Sequence, residues 1–248
     1  MVGTETGNAS ILEYEQFAPL FGPWAEIFKE FITSKEMFDI YAKLKAEKEK
    51  IVPSSDKVFE GFRQVMPEDV KVVWYLADPY PRRYRNKTNQ ATGVAMDCRN
   101  TPDGVLQPSL VTFYDALDKF LGKKVERCPS LEYLCYQGVM LLNTDLTCLL
   151  GKTGSHVGLW EPFHKYFLDY LANKPGKVYI LSGKVSERME KFINPLGNHI
   201  IKTEHPAAAA RAERDWNYGD LFAQINALTN GKIKWDKKDW EVSSEPPF

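Results

Sequence analysis

Four short apolar runs, each closed by a polar turn, constrain this chain more than any other feature of its sequence. The first, Lys71-Val72-Val73-Trp74-Tyr75-Leu76-Ala77, is β-branched and aromatic and halts at Asp78-Pro79-Tyr80-Pro81. Val139-Met140-Leu141-Leu142 ends at Asn143, Val178-Tyr179-Ile180-Leu181 at Ser182-Gly183, and His199-Ile200-Ile201-Lys202-Thr203 at Glu204-His205-Pro206. Helix-like segments lie between them at 109–121, 130–136, 161–171, 185–192 and 214–228, with Ser109 and Ser130 as expected N-caps. Residues 11–44 carry Phe17, Phe21, Trp24, Phe28, Phe31 and Phe38 at helical spacing and read as packed helices. Strands alternating with helices predict an α/β fold with a central four-stranded, mostly parallel sheet flanked by helices. No repeat or break in composition divides the chain. One domain is expected over 1–248, with a helical N-terminal part over 1–70 and a core over 71–236.

A chain of 248 residues, 44% hydrophobic and 26% charged, can bury a sizeable core, which excludes disordered and collagen-like classes. No window approaches the roughly 18 uninterrupted apolar residues of a spanning helix, and the N-terminal residues lack the basic and apolar regions of a signal peptide. The expectation is a soluble intracellular protein of cytoplasm or nucleus. Cys98, Cys128, Cys135 and Cys148 have neither C-x-x-C spacing nor paired histidines nearby, so they read as buried thiols and no metal site is expected. Net charge is -1, so any contact with a polyanion must be local. The one dense basic stretch is Pro81-Arg82-Arg83-Tyr84-Arg85-Asn86-Lys87, which on its own reads as a solvated loop.

In parallel sheets ligands bind beyond the carboxyl ends of the strands, which directs attention to the four turns. Asp78, locked ahead of Pro79-Tyr80-Pro81, is either a rigidly placed catalytic carboxylate or a turn residue capping backbone amides. His205 is a strand-end histidine, structural or catalytic. Asn143 either bonds to neighbouring backbone or uses its carboxamide to read a base edge with one donor and one acceptor side by side.

Order and setting narrow these choices. Asp78-Pro79-Tyr80, Asn89-Gln90-Ala91-Thr92-Gly93, Gln107-Pro108-Ser109-Leu110, Gln137-Gly138-Val139-Met140-Leu141-Leu142-Asn143-Thr144-Asp145-Leu146-Thr147, Ser155-His156 and His205-Pro206 together resemble the uracil-DNA glycosylase family over roughly residues 70 to 236. The resemblance implies hydrolysis of the N-glycosidic bond of deoxyuridine in DNA, releasing uracil and leaving an abasic site for base-excision repair. It makes Asp78 the carboxylate that activates water and favours a developing positive sugar, and His205 the donor to uracil O2. Tyr80 becomes the ring that closes the pocket against a C5 methyl, Asn143 the amide that pairs with N3–H and O4, and Ala77 a backbone contact where the family usually has glutamine. Pro108 and Ser109 match a proline-rich DNA-gripping loop, Gly183 and Lys184 a Gly-Ser loop, and Pro206, Ala209 and Arg211 a minor-groove loop; the 82–87 cluster would add phosphate contacts. Uracil-containing DNA, single- or double-stranded, is the implied partner, with replication proteins or a DNA-mimicking inhibitor as further ones; a monomer and no cofactor are expected.

The sequence departs from the family pattern in four places. Pro81 stands where most members have histidine, with a longer turn after it, as in the poxvirus branch, which also carries a His-Pro-Ala-Ala stretch. Met96 replaces the phenylalanine that stacks on uracil; its polarizable sulfur covers a ring less rigidly. Ala209 aligns with the leucine pushed into the base stack, and Ala207-Ala208 replace Ser-Pro. From these follows an expectation of weaker flipping from duplex, a relative preference for single-stranded uracil, and higher duplex activity in Ala209→Leu. Two alternatives stand beside the enzyme: a DNA-binding or polymerase-tethering scaffold with weak or no activity, and a glycosylase for a modified uracil.

Overall fold

The computed structural model describes residues 12–243. All four predicted runs are strands. They are β2 (Val72–Leu76), β3 (Val139–Asn143), β5 (Val178–Ser182) and β6 (His199–Thr203), in the order β3-β2-β5-β6, every pair parallel. A two-residue antiparallel pair, β1 (Ile51–Val52) with β4 (Cys148–Leu149), was not legible in the sequence.

Side chains alternate across a strand, so β2 sends Trp74 and Tyr75 to opposite faces. Trp74 meets Phe113 of the helix Pro108–Leu121 and Trp216, while Tyr75 meets His164 of the helix Glu161–Ala172. Both faces are therefore covered, which accounts for the near-continuous apolar character of β2, β3 and β5, buried at every position. β6 is an edge strand and keeps His199 and Lys202 exposed. One apolar cluster runs from Leu12 to Trp235. Its aromatic end joins Phe21, Trp24 and Phe28 to Phe62, Phe163 and Phe167, with ring centroids 5.0 to 6.4 Å apart in the closest pairs. Phe163 lies at the middle of this packing, and Phe163→Ala is expected to cost about 3–5 kcal/mol, read as a lowered urea midpoint at unchanged slope.

The helical segments differ in detail from their expected bounds. Residue 11 lies outside the described residues. The following stretch forms Tyr14–Phe21, Lys29–Ile32 and Lys35–Ala46, the last capped by Ser34, whose hydroxyl accepts from the Met37 amide at 3.2 Å. Ser109 is not an N-cap. Pro108 takes the first helical position, so Gln107 is the cap. Ser130 is not one either, because the short helix Glu132–Cys135 starts after Leu131 and the Ser130 hydroxyl accepts from the Glu132 amide in a local turn. The segment 185–192 is a 3-10 helix over Ser186–Phe192.

Only Leu221–Leu228 of the expected 214–228 helix forms. Upstream, Arg214 pairs with Glu204 and the Trp216 indole donates to Glu204 O at 2.7 Å, folding 212–220 back over the end of β6. The stretch after β6, expected as a loop, is a helix over Pro206–Arg211, and Lys237–Ser243 adds a last one. All four cysteines are buried free thiols. Among the described residues no helix is long and apolar enough to cross a membrane, and no cluster of ligands could hold a metal ion.

Candidate active site

The parallel register aligns the strand ends, and with them the turns. Leu76 pairs with Asn143 and Ser182 with Thr203, so Asp78, Asn143, Gly183 and His205 lie along one edge of the sheet. A cavity of about 430 Å³ opens there, lined by Asp78, Tyr80, Asn143 and His205 together with Ala77, Met96, Pro108 and Ser109. Asp78 and His205, 127 residues apart in sequence, thus share one space, which is large enough for a single flat ring and its sugar.

Each wall is fixed by local chemistry. The Asp78 turn is clamped by the loop after β4: the Gly154 amide donates to Asp78 Oδ1 at 3.0 Å and the Gly151 amide to Pro81 O at 2.7 Å. That loop is closed by the Ser155 hydroxyl, which accepts from the Leu149 amide at 2.7 Å. It is anchored by buried His156, whose Nδ1 lies 2.7 Å from Thr147 Oγ1 and whose Nε2 lies 2.9 Å from Glu47 Oε2. The Trp160 indole donates to the same Thr147 hydroxyl at 2.9 Å. Burial raises the Asp78 carboxyl above the ordinary carboxylate range, against the opposing pull of the Gly154 amide, Arg188 and His156.

Tyr80 is pinned at its hydroxyl, which donates to Met96 O at 3.2 Å and lies 2.7 Å from Ser109 Oγ. Burial pushes the phenol far above its usual pKa, so the ring is a neutral wall. Met96 itself sits at φ +62, a left-handed conformation unusual for a side chain of its kind. Buried Asp97 holds the turn by accepting from the Leu131 amide and from Arg99. Asn143 is 6% exposed, yet its carboxamide has no hydrogen-bond partner among the described residues; the amide is presented to the cavity.

His205 caps the helix Pro206–Arg211: its Nδ1 accepts from the Ala207 amide at 3.1 Å. The remaining proton is therefore on Nε2. Burial, reinforced by Arg211, lowers its pKa to about 4, so the imidazole is neutral at physiological pH. Gly183, at φ +86, lies so close that a Cβ there would meet the His205 Cβ at 2.9 Å, which explains glycine at this position.

The residues expected to grip DNA divide. Lys184 and Arg211 are exposed, and Arg211 lines both the cavity and a groove of about 740 Å³ beside it that also holds Gly183 and Lys184. Pro108 is exposed at the cavity rim. Ser109 is buried and its hydroxyl is occupied by Tyr80, and Pro206 is buried at the first position of its helix; neither offers a surface to DNA.

Ala209 is a plain correction. It is 0% exposed and belongs to the apolar core, on the face of its helix turned away from the cavity, while Ala207 and Ala210 line it. A leucine there overpacks the core, so Ala209→Leu is expected to destabilise the fold by about 1–3 kcal/mol, read by thermal unfolding, and not to raise duplex activity. In the 82–87 stretch Arg82, Arg85 and Lys87 are exposed, but Arg83 turns inward, donating to Asn89 Oδ1 at 2.7 Å and to Ile51 O at 3.1 Å. The sequence did not single out Gly154, Glu47 or Arg188, because their partners lie far along the chain; only Ser155-His156, as part of the quoted motif, pointed toward this loop.

Sheet order, strand-end turns and a cavity furnished with a carboxylate, an unpaired amide and a neutral imidazole define an α/β protein with a polar pocket at the carboxyl edge of its parallel sheet. The fold is shared with a mimivirus uracil-DNA glycosylase, at a TM-score of 0.75 with 22% identity over 94% of this chain and 95% of that one. It is also similar to a UNG from Nitratifractor salsuginis, at a TM-score of 0.60 with 20% identity over 95% and 96% of the two chains. No protein-family model matches. In sequence the chain is 31% identical over 208 residues to the uracil-DNA glycosylase of Exiguobacterium sibiricum, covering 82% of this chain and 91% of that protein. It is 34% identical over 181 residues to that of Sodalis glossinidius, covering 72% and 76%. The chain belongs to the uracil-DNA glycosylase family.

Proposed function

We propose that this protein hydrolyses the N-glycosidic bond of deoxyuridine in DNA, releasing uracil and leaving an abasic site. The observation that carries the reading is the convergence of Asp78, Tyr80, Asn143 and His205 on one cavity, with the Asn143 carboxamide unpaired. The base must first leave the stack. In the cavity the Asn143 amide accepts from N3–H and donates to O4, and cytosine, with the reverse edge, is refused. Tyr80, tethered to Met96 and Ser109, closes the side where a C5 substituent would lie.

As the C1′–N1 bond breaks, its electron pair goes to the base and positive charge grows on the sugar. Neutral His205 donates from Nε2 to O2, where the negative charge gathers, and the Asp78 carboxylate stabilises the cationic sugar and orients water toward C1′. Water adds to C1′ and its proton is lost through Asp78. The described residues, 12–243, act as one unit in this reading: the apolar cluster is continuous, and Glu47 reaches the Asp78 clamp from the N-terminal helices.

The pinned Tyr80 disfavours a bulky modified uracil. Exposed Lys184, Arg211, Arg82, Arg85 and Lys87 supply phosphate contacts, so binding weakens as salt rises. A structure of mimivirus UNG in complex with UGI, 22% identical with a TM-score of 0.76 over 89% of this chain and 88% of that one, makes a protein inhibitor of that kind a further proposed partner. The test is a uracil-containing oligonucleotide incubated with the protein and then treated with alkali. Strand cleavage at the uracil supports the enzyme, and an inert protein that still retains the oligonucleotide supports the scaffold.

A further inference from the structure

Beneath the cavity lies a second buried carboxylate that the reading above leaves unused. Asp145, two residues past Asn143, is fully buried, and its amide donates to Ala77 O at 3.1 Å, which sets it against the turn bearing Asp78. Its carboxylate accepts from the Gly158 amide at 3.1 Å and from Arg188 Nη2 at 2.9 Å. Arg188 also donates from Nε to Val185 O at 3.1 Å and meets Glu161 Oε1 at 3.3 Å. Val185 closes the loop whose Gly183 abuts His205. One guanidinium therefore joins the loop beside the imidazole to the backbone beside the carboxylate.

We propose that Asp145 and Arg188 are paired positioning residues of the glycosylase reaction, fixing the 183–185 loop to the Asp78 turn and setting the charge that Asp78 feels. The inference rests on the proposed function for the reaction, and on geometry alone for the pairing. A carboxylate buried this deeply is retained only with a cation and hydrogen bonds around it. Even so, burial raises Asp145 to about 6, with Asp78 contributing to the rise. The other charged or titratable groups facing the pair are Glu161, itself paired with Lys191, His164 and the Cys148 thiol; those facing Asp78 are Arg188, His156 and that same thiol.

The signs give a test that a merely structural role would not pass. Removing the cation disfavours ionised Asp78, whereas Asp145 takes up its proton while Asp78 is still ionised and is neutral by the time Asp78 titrates. The titration midpoint of the Asp78 carboxyl carbon, followed by NMR in the full chain, is expected to rise by roughly half to one pH unit in Arg188→Gln and to stay near wild type in Asp145→Asn, while the Asp145 midpoint is expected to fall in Asp78→Asn. The double variant Asp145→Asn/Arg188→Gln, which leaves no unpaired charge, is expected to raise the Asp78 midpoint as Arg188→Gln does. The acid limb of kcat/KM on a uracil oligonucleotide moves with the Asp78 midpoint, and Arg188→Lys restores the limb by restoring the charge. An Asp78 midpoint that matches wild type in Arg188→Gln, or an Asp145 midpoint unmoved in Asp78→Asn, overturns the inference. The double variant guards against loss of folding in either single one. An inert wild type sinks the glycosylase reading while the NMR midpoints still decide the pairing.

Discussion

Asp78→Asn is expected to lower kcat/KM on a uracil oligonucleotide by at least about 10³-fold while leaving the unfolding midpoint unchanged or raised. The two halves of this expectation have one cause. Burial raises the pKa of Asp78 in the folded protein above its unfolded value, so at neutral pH the ionised carboxylate is less comfortable folded than unfolded. A group shifted upward in this way subtracts from stability above its unfolded pKa and subtracts less as pH falls through the folded one. Asparagine removes that charge and keeps the oxygen that accepts from the Gly154 amide. The clamp on the turn survives. What is lost is the negative charge beneath the cationic sugar and the acceptor for the water proton, both of which matter only in the transition state. The measurement is steady-state kinetics paired with chemical denaturation at pH 7. A variant that loses activity and stability together would place Asp78 among structural turn residues and remove it from the chemistry.

The same residues show how far the sequence could be read. The parallel sheet was legible because β2, β3 and β5 are buried on both faces, and each strand ends in a residue that cannot continue an apolar run. The turn at Asp78 was legible because Pro79 and Pro81 leave the backbone little freedom. The long motif around Asn143 was legible as a unit, but most of its members serve the scaffold. Gln137 holds the C-terminal segment, donating to Lys234 O at 3.0 Å and accepting from the Lys234 amide at 2.7 Å. Gly138 is glycine because a Cβ would meet Asp69 O at 2.2 Å. The Thr144 hydroxyl donates to Leu76 O at 2.6 Å, which ties β3 to β2 next to the cavity. Thus the Asn143 carboxamide is left facing the cavity, while its neighbours in the motif meet their own hydrogen-bonding needs inside the protein.

What escaped the sequence depended on helical phase and on distant partners. A run of four alanines after His205-Pro206 aligns with a loop, yet alanine is the strongest helix former and proline at the first position starts a helix. Once the stretch is helical, position 209 falls on the side packed against the helix Pro108–Leu121, and the wedge comparison no longer applies to it. Arg83 and Ser109 likewise look like surface groups until the fold brings them to Ile51 and Tyr80.

His205→Ala is the second large effect, an expected loss of about 10²- to 10³-fold in kcat with a smaller change in KM, because the donor acts on charge that exists only as the base departs. The neutral state of this histidine decides the form of the result. Nδ1 is occupied by the Ala207 amide, so the ring cannot turn its tautomer, and the Nε2 proton is the one it can offer. An imidazolium would donate more strongly, but with a pKa of about 4 it is absent at neutral pH. The active form therefore pairs anionic Asp78 with neutral His205, and protonation of Asp78, whose carboxyl is raised by burial, contributes an acid limb to the wild-type profile. Removing His205 leaves that limb in place while lowering the plateau.

Stability should change in the opposite sense on acidification. The unfolded histidine takes up a proton near pH 6.5 and the folded one only near 4, so the wild type loses stability as pH falls through that window. His205→Ala lacks the histidine and is expected to lose less over the same range, although it also lacks the cap on the helix Pro206–Arg211 and starts from a lower value at pH 7. Denaturation midpoints for both proteins at pH 7, 5.5 and 4.5 check this. Curves that converge toward low pH support a histidine held neutral by burial. Parallel curves would mean that the folded histidine titrates as the unfolded one does, and curves that diverge toward low pH would mean that it is already protonated in the folded state and that the electrophile is a cation.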